Sequence, residues 1–124
     1  MKDNIRTILI VDDEMEVLKL LKDIFESRNW RVFITPTGNS AIPMLEKEKI
    51  DIVLLDIRLP DKSGIEVLQD LRPKFPDVPV VMLTAYGYDE TLVEKTIGVG
   101  ASGYVSKTVS TEELLMAVNN AMRK

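Results

Sequence analysis

Apolar and polar positions follow a regular order along the chain. Thr7-Ile-Leu-Ile-Val11 leads into Asp12-Asp-Glu14, Asp51-Ile-Val-Leu-Leu-Asp56 ends on a carboxylate, and Val80-Val-Met-Leu-Thr84 ends on a hydroxyl. Short apolar runs without alternation are the mark of strands buried on both faces, as in the middle of a parallel sheet. Arg31-Val-Phe-Ile-Thr35 and Tyr104-Val105-Ser106 read as two further strands. Between the strands the period changes to that of a helix. Met15, Val17, Leu18, Leu21, Ile24 and Phe25 form one stripe, and Ala41, Ile42, Met44 and Leu45 mark a helix over roughly 40–48, with Asn39 or Ser40 as its N-cap. Ile65, Val67, Leu68 and Leu71 mark a third helix over roughly 64–74, which Pro73 is expected to close early. A weakly amphipathic fourth covers roughly 89–97. The last carries Leu114, Leu115, Val118, Ala121 and Met122 behind Ser110-Thr-Glu-Glu113, which has the spacing of a capping box.

Five βα units with short connections predict an α/β fold, a doubly wound five-stranded parallel sheet with helices on both faces. A chain of 124 residues is long enough for one domain over 1–124 with a continuous core. With 45% hydrophobic and 29% charged residues it has the composition of a folded globular protein rather than a disordered one. No apolar run reaches the length of a membrane span and the first residues are too polar for a secretory signal, so a cytoplasmic location and no membrane partner are expected. The net charge of −4, without a basic stripe, argues against direct nucleic-acid binding.

Histidine and cysteine are both absent. That removes the usual general base, the thiolate nucleophile and the common zinc ligands, leaving chemistry to carboxylates, hydroxyls, lysine and a hard cation. If the strands are parallel, Asp12, Asp13, Asp56, Thr84 and Ser106-Lys107 all lie at the carboxyl edge of the sheet, where open α/β sheets bind ligands. Taken alone, Asp56 is equally a nucleophile, a metal ligand or a cap. Clustered carboxylates raise one another's pKa unless a cation neutralises them, and oxygen ligands select magnesium or a similar ion. Together with Lys107 and Thr84 this is equipment for phosphoryl transfer, with Asp56 as the candidate nucleophile for an acyl phosphate. Plainer roles exist for each residue. Asp13 and Glu16 have approximate capping-box spacing, Thr84 suits a strand, Lys107 suits a surface, and Tyr104 suits packing. Trp30 reads as partial core, and the methionines as core filler.

Four segments, Ile8-Leu-Ile-Val-Asp-Asp-Glu14, Leu54-Leu-Asp-Ile-Arg-Leu-Pro-Asp-Lys-Ser-Gly64, Val81-Met-Leu-Thr-Ala85 and Gly100-Ala-Ser-Gly-Tyr-Val-Ser-Lys107, resemble the receiver domain of two-component response regulators (CheY-like) in the same order, over essentially the whole chain. The resemblance implies a flavodoxin-like (βα)5 fold with strand order 2-1-3-4-5. It implies that Asp56 accepts a phosphoryl group from the phosphohistidine of a histidine kinase or phosphotransfer protein, and that the domain catalyses this step and its own dephosphorylation. Asp12, Asp13, Asp56 and the backbone carbonyl of Arg58 would hold Mg²⁺, directly or through water. Thr84 and Lys107 would contact the phosphoryl oxygens, and Thr84 with Tyr104 would switch the surface of helix four, strand five and helix five toward an output domain or partner protein. A phosphorylation-dependent dimer, kinase docking on helix one, and Arg58 and Tyr86 flanking the attack path also follow from the resemblance. One departure stands out: the family has a cis proline after this lysine, and here Thr108 follows Lys107. A non-proline cis bond costs about 2.5–4 kcal/mol, so a trans bond and a rearranged loop are expected.

Three rival functions compete. An aspartyl phosphatase needs a second Asp two residues after the nucleophile, where this chain has Arg58. A flavin-binding module needs a phosphate loop after the first strand, where Asp12-Asp13-Glu14 would repel phosphate. A receiver-like domain that binds partners without phosphorylation is favoured only by Thr108.

Overall fold

The computed structural model describes residues 5–84 and 90–123. Strand β1 spans Thr7–Val11, β2 Arg31–Thr35, β3 Ile52–Asp56, β4 Val80–Thr84 and β5 Gly103–Ser106. The helices are α1 Met15–Glu26, α2 Ala41–Lys47, α3 Gly64–Leu71, α4 Glu90–Val99 and α5 Thr111–Met122, with a 3-10 turn at Gly38–Ser40 before α2. All strand pairs are parallel, in the order β2-β1-β3-β4-β5. The doubly wound five-stranded sheet expected from the sequence is the one observed.

Alternation along the central strands divides the core. Ile8, Ile10, Ile52, Leu54, Val81 and Leu83 meet Leu18, Leu21 and Phe25 of α1 and Leu114, Val118 and Ala121 of α5. Leu9, Val11, Val53, Leu55, Val80 and Met82 meet Ala41 and Leu45 of α2 and Val67, Leu68 and Leu71 of α3 on the opposite face. Both faces of β1, β3 and β4 are therefore apolar, which is why their sequences lack alternation. Trp30 packs edge to face on Phe25 at 5.3 Å between ring centroids, as partial core. The methionines divide: Met82 is fully buried, whereas Met15 and Met116 are exposed, so these two are not core filler.

The helix starts differ in how they are satisfied. Ser110 and Glu113 form the expected capping box on α5. Ser63 and Glu66 form a second on α3, from the same S-x-x-E pattern, which the sequence reading passed over. Helix α3 ends at Leu71, two residues before Pro73. Neither Asn39 nor Ser40 caps α2 by its side chain. Instead the Asp61 carboxylate, from the loop after β3, accepts from the backbone N–H groups of Gly38 at 2.9 Å and Asn39 at 2.7 Å. Those two bonds hold the Asp61 carboxyl below its usual pKa, the Gly38 contact most.

Far from the carboxyl edge, Arg72 closes the turn after α3. Its guanidinium donates to the carbonyls of Phe75, Pro76 and Val78 and reaches Gly100 before β5 at 2.8 Å. Gly100 takes φ 110°, and a side chain there would press on Arg72. Arg72→Ala strands these acceptors and should destabilise the fold by about 2–4 kcal/mol, since a hydrogen bond to a charged group contributes roughly 1.5–3 kcal/mol net and two of the four acceptors are exposed and can turn to water. Urea unfolding should show a lower midpoint with an unchanged slope; an unaltered midpoint would remove Arg72 from the scaffold.

Candidate functional site

The register of the sheet brings the candidate residues to one edge. Val11 pairs with Leu55, so the residues that follow, Asp12 and Asp56, emerge side by side from adjacent buried strands. Asp56 pairs with Leu83 and Thr84 with Ser106, which sets Thr84 and Lys107 on the other side of Asp56. Asp12 is 0% exposed and Asp56 4%, while Asp13 is exposed. One oxygen from each of Asp12, Asp13 and Asp56 lies within 4.8 Å of the others. This all-oxygen set matches the ligand preference of a hard divalent cation.

Local bonds orient the carboxylates. Asp12 Oδ1 accepts from the Glu14 backbone N–H at 2.9 Å, and Asp56 Oδ1 accepts from that of Arg58 at 3.2 Å. Asp13 does not cap α1; Glu14 occupies the N-cap position without a side-chain capping bond. The structural alternative for Asp13 is thus not realised, and its carboxylate faces the pocket instead. Gly64 is required by close approach. Its N–H donates to Ile57 O at 2.6 Å, and a Cβ there would overlap the Asp56 carbonyl oxygen. Any larger residue at 64 would push on the main chain that carries Asp56.

Lys107 closes the site. Its Nζ hydrogen-bonds Asp56 Oδ2 at 3.1 Å and Glu14 Oε1 at 2.8 Å and makes an ion pair with Asp12 Oδ2 at 2.8 Å. Among the described residues no peptide bond is cis, so Lys107-Thr108 is trans, as expected. The side chain nevertheless reaches Asp56. The loop is held by another device: Ser106 Oγ accepts from the Thr108 N–H at 3.1 Å and bonds the Thr108 hydroxyl at 2.8 Å, while the Lys107 N–H donates to Thr84 O at 2.8 Å. The one feature that favoured a phosphorylation-independent module therefore leaves the lysine in place.

Electrostatics follow from this packing. Burial, then the charge of Asp12, pushes the Asp56 carboxyl above its usual pKa, against the opposing pull of Lys107. Burial alone would push the Lys107 ammonium down, but its bonds to Asp12, Glu14 and Asp56 outweigh this and hold it above its usual value. Thr84 is buried at the end of β4. Tyr104 pairs with Met82, is half-buried against the α2–α3 face of the core, and has its hydroxyl shielded from solvent. Arg58 is exposed, and its main chain bridges to Ser63 across the loop. Tyr86 and the Ala85–Tyr88 loop lie outside the described residues. Sequence reasoning missed two polar residues here, Glu14 and Asp61. Each acts on a segment remote in sequence, and no local pattern announces either.

Residues 8–119 match the family model described as the response regulator receiver domain. The chain belongs to the response regulator receiver domain family. A CheY-like receiver domain protein from Methanospirillum hungatei JF-1 is 31% identical, with 96% of this chain and 94% of that one covered and a TM-score of 0.88. The BeF3-activated N-terminal receiver domain of RstA from Klebsiella pneumoniae is 33% identical, with 96% and 100% covered and a TM-score of 0.88. The chemotaxis protein CheY4 of Vibrio cholerae, at 22% identity with 94% and 98% covered and a TM-score of 0.89, shares the fold. Receiver domains generally use Mg²⁺ bound by acidic residues, and this one gathers three such carboxylates at the edge described above. No helix among the described residues is long and apolar enough to cross a membrane.

The raised Asp56 pKa has a definite sign for this receiver domain. Between the usual value of 3.8 and the raised folded value, the folded state binds more proton than the unfolded state, so this contribution to stability falls as pH rises through that window. Asp56→Asn should therefore melt at a higher temperature than the native chain at neutral pH without added metal. The difference should shrink as pH falls and vanish below 3.8. A gap that widens on acidification would mean that Asp56 is stabilised as a carboxylate.

Proposed function

We propose that this receiver domain is a cytoplasmic phosphorylation switch in which Asp56 is the acceptor. The observation that carries the reading is the placement of a buried carboxylate between an ammonium, with Lys107 Nζ at 3.1 Å, and two further carboxylates, Asp12 and Asp13, that suit a divalent cation. An Asp56 oxygen attacks the phosphorus of a phosphohistidine on a histidine kinase or phosphotransfer protein. The O–P bond forms as the P–N bond breaks, and that bond's electron pair leaves on the imidazole nitrogen, which takes a proton. Lys107 pairs with the charge on the phosphoryl oxygens, and Thr84 donates its hydroxyl proton to one of them. Asp12, Asp13, Asp56 and the Arg58 carbonyl would hold Mg²⁺, which when bound supplies charge neutralisation for the same oxygens. Attack of water on the phosphorus later restores the carboxylate and releases inorganic phosphate, with Arg58 flanking that path.

The acyl phosphate then biases two states of the α4–β5–α5 surface through Thr84 and Tyr104, which an output domain, a partner protein or a second phosphorylated copy reads. Helix α1, beside the acidic pocket, is the docking face for the phosphodonor. The beryllofluoride-activated relative from Klebsiella pneumoniae supports the use of that compound as a phosphoryl mimic here.

Acetyl phosphate with Mg²⁺ should label the protein once, at Asp56, as read by intact mass and borohydride trapping of the acyl phosphate. Asp56→Asn should remove the label; persistent labelling would move the acceptor elsewhere. Magnesium alone should raise the melting temperature, by the equivalent of about 2.7 kcal/mol at a concentration one hundred times the dissociation constant. EDTA should reverse the effect and Asp13→Asn should weaken it; a midpoint indifferent to both would reject the carboxylate set as a cation site.

A further inference from the structure

Lys107 has three N–H groups, and three carboxylates surround them. Asp12 Oδ2 and Glu14 Oε1 lie at 2.8 Å and Asp56 Oδ2 at 3.1 Å. If Asp56 carries a phosphoryl group, its oxygens need a donor from Lys107, whose Nζ in the resting arrangement hydrogen-bonds Glu14 and Asp56 and pairs with Asp12 by charge without a hydrogen bond. Turning the ammonium toward those oxygens loosens the contacts it already holds, and the three carboxylates differ in how easily they let go. Asp12 cannot move cheaply: its side chain is 0% exposed, it follows a buried strand, and its second oxygen accepts from the Glu14 N–H. Asp56 is the acceptor itself. The Glu14 side chain is 57% exposed and projects from the N-cap of α1, so it can swing into water with no change in the main chain.

We propose that Glu14 is a positioning residue: it holds Lys107 in the unphosphorylated state and is the contact that a phosphoryl oxygen replaces. The inference rests on the phosphoacceptor reading of Asp56. In the resting state Glu14 keeps the lysine extended over the pocket, partly in place of the missing phosphoryl oxygen. In the phosphorylated state that pairing has been given up, so Glu14 weakens acceptance by the value of one exposed ion pair. Exposed pairs of this kind correspond to a change of about 1.4-fold to fivefold in an equilibrium constant. A second consequence follows from reach. An aspartate at position 14 keeps the charge but is one methylene too short to hold Nζ in this geometry.

The test is beryllofluoride affinity at saturating Mg²⁺, read by NMR on the whole chain, for the native protein, Glu14→Gln, Glu14→Asp, and Glu14→Gln in a Lys107→Ala background. Amide spectra without beryllofluoride establish that each variant is folded. Glu14→Gln and Glu14→Asp should both tighten binding by about twofold to fivefold, and Glu14→Gln should have no effect once Lys107 is absent, because the two residues act through one contact. Tightening by Gln but not by Asp, or tightening that survives loss of Lys107, would assign the effect to charge alone and overturn the placeholder. Unchanged or weaker binding in both variants would overturn it as well. Uptake by the native chain separates the two levels: if the native chain takes up no beryllofluoride, the phosphoacceptor reading fails and the placeholder with it, whereas native uptake with the wrong variant pattern rejects Glu14 alone.

Discussion

Two carboxylates buried side by side at the ends of adjacent strands set the terms for the rest of this molecule. Asp12 and Asp56 follow β1 and β3, and the core on both faces of the sheet fixes the register that makes them neighbours. A one-residue slip would turn every apolar side chain to the wrong face, so the pair cannot relax by sliding apart. Burying like charges is unfavourable, and the direction of the Asp56 shift records it. Lys107 offsets that cost by offering one ammonium to both. The lysine comes from the loop after the edge strand β5, so the neutralising charge sits on the element with the fewest sheet contacts.

This arrangement explains which parts of the molecule were legible in the sequence. Strands β1, β2 and β4 have the limits read from their residues: burial on both faces leaves an unbroken apolar run in β1 and β4, and the half-buried edge strand β2 is marked by its β-branched and aromatic residues. The strand read from Asp51 starts one residue later, since Asp51 turns its carboxylate back to the Thr7 N–H at 2.8 Å. The site residues Asp12, Asp13, Asp56, Thr84 and Lys107 were legible for a topological reason. Each closes or follows a strand, and parallel strands deliver their ends to one edge.

Residues that work across long separations were not legible. Asp61 bonds Gly38 and Asn39, Arg72 bonds Gly100, and Glu14 bonds Lys107, 93 positions away. In each case a charged residue in a polar stretch looks like any solvated residue, and only the folded register gives it a partner. The exposed Met15 and Met116 make the complementary point. Periodicity assigns a methionine to an apolar stripe without saying where the stripe leaves the core.

The two walls of the site differ in how firmly they are held. On the β3 side, Gly64 packs on the main chain of Asp56 and Ile57, Arg58 N–H bonds Asp56, Arg58 bridges to Ser63, and Asp61 ties the loop to the start of α2. Moving any part of that wall breaks several buried or charge-assisted bonds together. On the β5 side, a four-residue edge strand pairs with β4 alone, Tyr104 is half-buried, and the Lys107 loop is secured by the Ser106–Thr108 hydroxyl turn. Fewer interactions resist displacement there. Extra charge on Asp56 would therefore be accommodated at the β4–β5 side rather than at β3, and within the charge cluster the exposed Glu14, not the enclosed Lys107 it pairs with, is the least constrained member.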